Sequence, residues 1–187
     1  MSMFWLATRA TGEISLVLLT AVTVMGIAVT KGWASGRWPE SVVTLLHRNI
    51  SLLALVFLGL HIGTTVLDGF VPIGWLDVLI PFRSGYRPLW VGLGTTAFDL
   101  LLAVIITSLL RRRIPPRILK SVHWAAYLLW ALAVVHSLGA GTDRLLTRVV
   151  GIAAAVVVVA AVAGRFLTPH RQDDPIVSMP TRSEARR

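Results

Sequence analysis

Apolar residues fall into five long runs along the chain, at 13–30, 42–67, 89–110, 118–140 and 145–167. Crossing the hydrocarbon core of a bilayer takes about 20 residues of helix. In lipid each spanning segment must satisfy its own backbone polar groups, which favours helix. The pattern therefore predicts an all-α integral membrane bundle of five transmembrane helices. The first run has no cationic stretch directly before it and no clear small-residue cleavage site, so it reads as a retained helix and not as a signal peptide. The stretch 68–90 is too short to span and is broken by Pro72 and Pro81. Its Trp75, Phe82 and Trp90 suit the membrane–water boundary, so a short interfacial helix is expected there. From Thr168 the chain turns polar, with Pro169, Pro175 and Pro180. The expected division is a membrane domain at 1–167 and a disordered tail at 168–187, with no soluble catalytic domain after the last helix.

Composition strengthens this picture. Hydrophobic residues make up 55% of the chain and the mean hydropathy is +0.74, too apolar for an ordinary soluble domain. There is no cysteine, which rules out disulfides, thiolate zinc sites, cysteine-ligated iron–sulfur clusters and covalent haem attachment within this chain. The net charge of +9 sits in short clusters between the apolar runs. It reads as a topology signal and as contact with lipid headgroups, not as a nucleic-acid surface. The densest short cluster is Arg111, Arg112, Arg113 and Arg117, with Lys120 just beyond, so this loop is expected on the cytoplasmic side. Lys31, Arg37 and the tail fall on the same side. The N-terminus and the 68–90 stretch are then outside and the C-terminus is cytoplasmic. Arg83, Arg87 and Arg144 also fall outside, so the charge rule is a bias here. The preference for Arg over Lys suggests a GC-rich bacterial genome, and the expected location is a bacterial plasma membrane.

Four of the five histidines lie within predicted membrane helices, and His170 lies in the tail. Ionisable groups are costly there and mark functional sites by default. His47 and His61 are 14 residues apart in the second run; His123 and His136 are 13 apart in the fourth. At a rise of 1.5 Å per residue these spacings are about 21 and 20 Å. The chain crosses twice between these two helices, so they run parallel, and the pairs match in depth. His47 falls level with His123 towards the cytoplasm, and His61 level with His136 towards the outside. Two imidazoles facing each other at one depth can ligate a haem iron from both sides. One detail needs a structural answer. Fourteen residues fall only about 40° short of whole turns, whereas 13 fall about 140° short. His123 and His136 do not share a face of a straight helix, so a bulge, a kink or different ring approaches are expected.

Other residues add less. Zinc would want closer ligands, with more histidines or a carboxylate at one level. Asp99 is the only acidic residue expected deep in a membrane helix, where a hydrogen bond to a neighbouring helix would account for it. Gly26, Gly59, Gly63, Gly92 and Gly94 are expected mainly to serve helix packing. Trp124, Tyr127 and Trp130 are expected to pack around the histidines of the fourth helix. Arg48 and Arg117 near the inner level, and Arg83 and Arg87 near the outer, are candidates to pair with haem propionates, because guanidinium matches carboxylate geometry. Taken singly, each arginine is better explained by topology and headgroup contact.

Several strings carry a family resemblance. They are Leu46-His47-Arg48 with His61 fourteen later, and His123-Trp124-Ala125-Ala126-Tyr127 with His136 thirteen later. Ile106 to Arg112, Pro81 to Trp90, and Gly141-Thr142-Asp143 add to it. Together they cover roughly 40–145, and they resemble the ferric reductase-like transmembrane domain family. That family includes ferric-chelate reductases, the membrane part of NADPH oxidases and the haem subunit of periplasmic methionine-sulfoxide reductase systems. The resemblance implies two b-type haems, the inner on His47 and His123 and the outer on His61 and His136. It implies electron transfer from a cytoplasmic-side donor to an acceptor outside: ferric iron, oxygen or a partner reductase. The flavin and nicotinamide domain of the oxidases has no counterpart in this sequence, so a separate flavoprotein or quinol is the expected donor. The competing expectation is a non-redox membrane protein that uses the histidines to handle protons or metal.

Overall fold

A computed structural model describes residues 2–30, 39–141 and 144–167. Six helices follow in order: α1 (Met3–Thr30), α2 (Glu40–Leu67), α3 (Trp75–Leu79), α4 (Pro88–Leu109), α5 (Pro116–Ala140) and α6 (Arg144–Leu167), with no strand among the described residues. All but α3 are long and apolar enough to cross a membrane, as expected of a multi-pass membrane protein. The tail 168–187, with His170, and the loop holding Lys31 and Arg37 lie outside the described residues.

Local chemistry sets the helix ends. Pro39 and Pro115 precede α2 and α5, while Pro88 and Pro116 occupy the first turns of α4 and α5. Proline suits those positions because the amide it lacks would have no helical partner and its φ is already helical. Arg87, just before α4, is held at φ 41° in the left-handed region, a cost of about 1–2 kcal/mol for a side-chain-bearing residue. Two contacts hold it there: its guanidinium donates to the Gly139 carbonyl at 2.8 Å, and its own carbonyl accepts from Val91 N–H at 3.0 Å.

Helix α1 begins about ten residues earlier than the apolar run suggests. Its first turns carry Thr8, Arg9, Thr11 and Glu13, whose polarity hides a helix from a hydropathy reading. These side chains are accommodated locally. The Thr11 hydroxyl donates back to the Ala7 carbonyl at 2.6 Å, and the Arg9 guanidinium lies over the Trp5 ring at 4.5 Å.

Two antiparallel hairpins make up most of the bundle, α1 against α2 and α4 against α5. They join through α1 and α5, and α6 packs on both. Polar bonds pin these contacts. Thr8 donates to Thr64 between α1 and α2 at 2.9 Å. Thr147 of α6 donates to Glu13 of α1 at 2.7 Å. Few side chains are fully buried, Ile27 being the most enclosed, and large apolar residues such as Leu52, Val56, Ile152 and Val159 face outward. That distribution suits a lipid surround, in which outward leucines and valines incur no hydration cost.

The α2–α4 connection is folded onto the bundle. Asp77 in α3 accepts the Gly74 amide at 2.8 Å and the Arg83 guanidinium at 3.2 Å, and its carbonyl accepts the Thr95 hydroxyl of α4 at 2.8 Å.

Candidate functional site

Helices α2 and α5 run in the same direction, and His47 and His123 are each the eighth residue of their helix. Their rings face each other with centroids 6.4 Å apart and planes inclined at 58°. Two imidazoles sharing one metal, each with a metal–nitrogen bond of about 2 Å, would have ring centres roughly 6 Å apart. The His47 Nδ1 is buried and has no hydrogen-bond partner. The His123 ring is exposed.

At the other level His61 and His136 line one cavity of about 300 Å³, within the size range of small-molecule and cofactor sites. Its wall is largely apolar, with Leu16, Leu19, Leu58, Phe98 and Leu129 among the lining residues, and Phe70, Ile73 and Tyr86 of the α2–α4 connection also line it. His61 Nδ1 lies 2.8 Å from the Thr8 carbonyl, and His136 Nδ1 lies 2.7 Å from the Trp90 carbonyl. A carbonyl only accepts, so both Nδ1 atoms carry the proton and donate it. The other ring nitrogen, Nε2, is then the unprotonated lone pair, which is how proteins commonly fix a metal-binding imidazole.

The 13-residue spacing is resolved without an irregularity in the backbone. Helix α5 is continuous α-helix from Pro116 to Ala140. The two rings instead approach different neighbours: His136 rests on α4 at Trp90, whereas His123 meets His47 of α2. Among the described residues no three of His, Asp and Glu converge on one point. His47 and His123 face each other at one level, and His61 and His136 line the same cavity at the other.

The candidate arginines lie around the ends of the bundle. Arg48 and Arg117 are exposed. Arg83 is ion-paired to Asp77 and Arg87 is bonded to the Gly139 carbonyl. Asp99 makes no hydrogen bond or ion pair among the described residues, so the expected bond to a neighbouring helix is not made. Of the aromatics, Trp124 meets Tyr127 at 5.6 Å between centroids, and Trp130 donates to Thr20 of α1 at 3.0 Å.

Two features escaped the sequence reading. Glu13 is a second acidic residue well inside a membrane-length helix: Oε1 accepts from Thr147, Oε2 is buried without a partner, and the residue lines the cavity shared by His61 and His136. An apolar run beginning at 13 places Glu13 at the helix end, whereas α1 begins at Met3. Gly12 is the other. A Cβ built there would lie 2.8 Å from His61 Nδ1. The glycines singled out from sequence divide in function. Gly94 and Gly26 face His136 and His47, and Gly92 faces Phe82, but Gly59 and Gly63 have nothing within 4 Å and so serve no helix packing among the described residues.

In comparisons with family models, curated proteins and solved structures, the chain matches none.

Proposed function

We infer that this chain conducts electrons across a membrane through two b-type haems, the inner on His47 and His123 and the outer on His61 and His136. The observation that carries the reading is the disposition of the imidazoles: two on each of two parallel helices, met in twos at two levels. At one level the ring centres have the separation expected of two axial ligands. At the other both rings present an unprotonated Nε2 in an apolar cavity. The residues fit the group: most of the surface lining the cavity of His61 and His136 is apolar, as a macrocycle needs, and the buried His47 Nδ1 is a polar atom without a partner. The sequence resemblance to ferric reductase-like domains supports the same reading.

When bound, haem supplies reversible one-electron chemistry. The protein's part is to fix ligand orientation, exclude water and set the surrounding charge. The rise along α2 separates the two levels by about 21 Å, enough to carry charge across most of the apolar core of about 30 Å. In the proposed orientation the N-terminus is outside and the Arg111–Arg117 loop cytoplasmic. Helix α3 then lies at the outer interface, and Arg48 and Arg117 sit near the inner haem, where exposed guanidinium groups can meet propionates. A cytoplasmic-side flavoprotein or quinol is the donor; ferric iron, oxygen or a partner reductase outside is the acceptor. A bacterial plasma membrane is the proposed location.

Purified protein should give reduced-minus-oxidised spectra with low-spin b-type bands and two haems per chain. Replacing His47 or His61 with Ala should each remove about one. A colourless protein that instead responds to pH or added metal would favour proton or metal handling and end the haem reading.

A further inference from the structure

One local arrangement recurs around the histidine rings. His61 lies against α1 between the carbonyl of Thr8 and Gly12. His136 lies against α4 between the carbonyl of Trp90 and Gly94. For His61 and His136 the carbonyl residue and the glycine are four apart, one helical turn, so they sit one above the other on the same face. His47 has the glycine alone: it lies against Gly26 of α1, 14 residues from Gly12, the spacing of His47 and His61 on the antiparallel α2.

The three glycine contacts are not equally tight. A Cβ on Gly94 would lie 2.6 Å from His136 Nδ1, and one on Gly12 2.8 Å from His61 Nδ1. Neither ring could stay where it is beside alanine. At Gly26 the nearest ring atom would be 3.6 Å away, an ordinary contact, and the Nδ1 bond is not made. His123 has no such set and is exposed. Thirteen residues before His136, it is turned about 140° away from the α4 face that holds that ring.

We propose that Thr8 with Gly12 and Trp90 with Gly94 are positioning seats that preform the outer pair of imidazoles, whereas the inner pair, with one loose seat and one absent, is ordered only when it is bridged. The carbonyl fixes the proton on Nδ1, and the glycine admits the ring close enough for that bond. Neither contact touches the bound group; each acts through the imidazole. The proposal rests on the haem reading for its consequence in binding, and on the apoprotein alone for its geometry.

Both can be tested. In haem-free protein labelled with ¹⁵N-histidine, two of the four membrane histidines should show the Nδ1–H tautomer, assigned by His61→Ala and His136→Ala. Gly94→Ala should shift the ring signals of His136 and leave those of His61; Gly12→Ala should do the reverse. Gly63→Ala, with nothing within 4 Å, should move neither. In haem titrations the His47→Ala chain, which keeps the outer pair, should bind about tenfold or more tightly than the His61→Ala chain, the scale on which outer-shell partners affect metal affinity. Nε2–H tautomers at His61 and His136 in the unmodified chain would overturn the seats, and they can be read even where a glycine variant fails to fold. Equal haem affinity of the two histidine variants would overturn the order of preformation. A chain that takes up no haem but shows the tautomers would end the haem reading and leave the seats standing.

Discussion

Trp130 of α5 donates its indole N–H to the hydroxyl of Thr20 on α1 at 3.0 Å, and Thr20 in turn donates to the Leu16 carbonyl at 2.7 Å. This chain of bonds joins the two hairpins at the middle of the bundle, between the two histidine levels. Thr20 is buried, so no water substitutes if the bond is lost. Trp130→Phe removes the donor and part of the ring and should cost about 1–2 kcal/mol. In detergent the melting temperature should fall while haem stoichiometry holds. An unchanged melting temperature would show that the hairpins are joined by packing alone.

Glu13 depends on Thr147 for its single hydrogen bond among the described residues. Thr147→Val leaves a buried carboxyl group with no partner, at a cost of about 1–3 kcal/mol. The same change in a Glu13→Leu background should cost far less, because the orphaned group is gone. A coupling above about 0.5 kcal/mol between the two sites is expected from such a cycle, measured by thermal unfolding; additivity would mean the bond contributes nothing.

Asp77 and Arg83 form an ion pair at 3.2 Å, but the partners are unequal, with 11% and 47% of their side chains exposed. Removing an exposed partner loses little, so Arg83→Ala should change stability by less than about 1 kcal/mol. Asp77→Ala also abandons the Gly74 amide and should cost about 1–2 kcal/mol. Faster amide exchange across the α2–α4 connection in the Asp77 variant, and not in the Arg83 variant, is the expected signature.

The absence of cysteine makes topology easy to probe. Cysteine placed at Gly85 should react with an impermeant maleimide added to intact cells, and cysteine at Arg112 only after the membrane is opened. The reverse pattern would invert the proposed orientation and with it the direction of electron flow.

How far the sequence reaches can be judged at particular residues. Long apolar runs located α2, α4, α5 and α6 to within a few residues, because lipid demands continuous hydrophobic length. The same criterion missed the first ten residues of α1, since Thr8, Arg9 and Glu13 satisfy themselves through contacts within the bundle that hydropathy does not measure. With them went Gly12 and the buried Glu13 oxygen. The spacing of the histidines was legible, and so was the conflict between 14 on one helix and 13 on the other.

The sequence by itself determined the number of apolar helices and the position of each imidazole along its helix, because both follow from length and rise along a single helix. Only the tertiary structure decided what each ring rests on: Thr8 and Gly12 for His61, Trp90 and Gly94 for His136, and the ring of His47 for His123. Those partners come from other helices, and their identity depends on rotation and register between helices, which the period of any one segment does not encode.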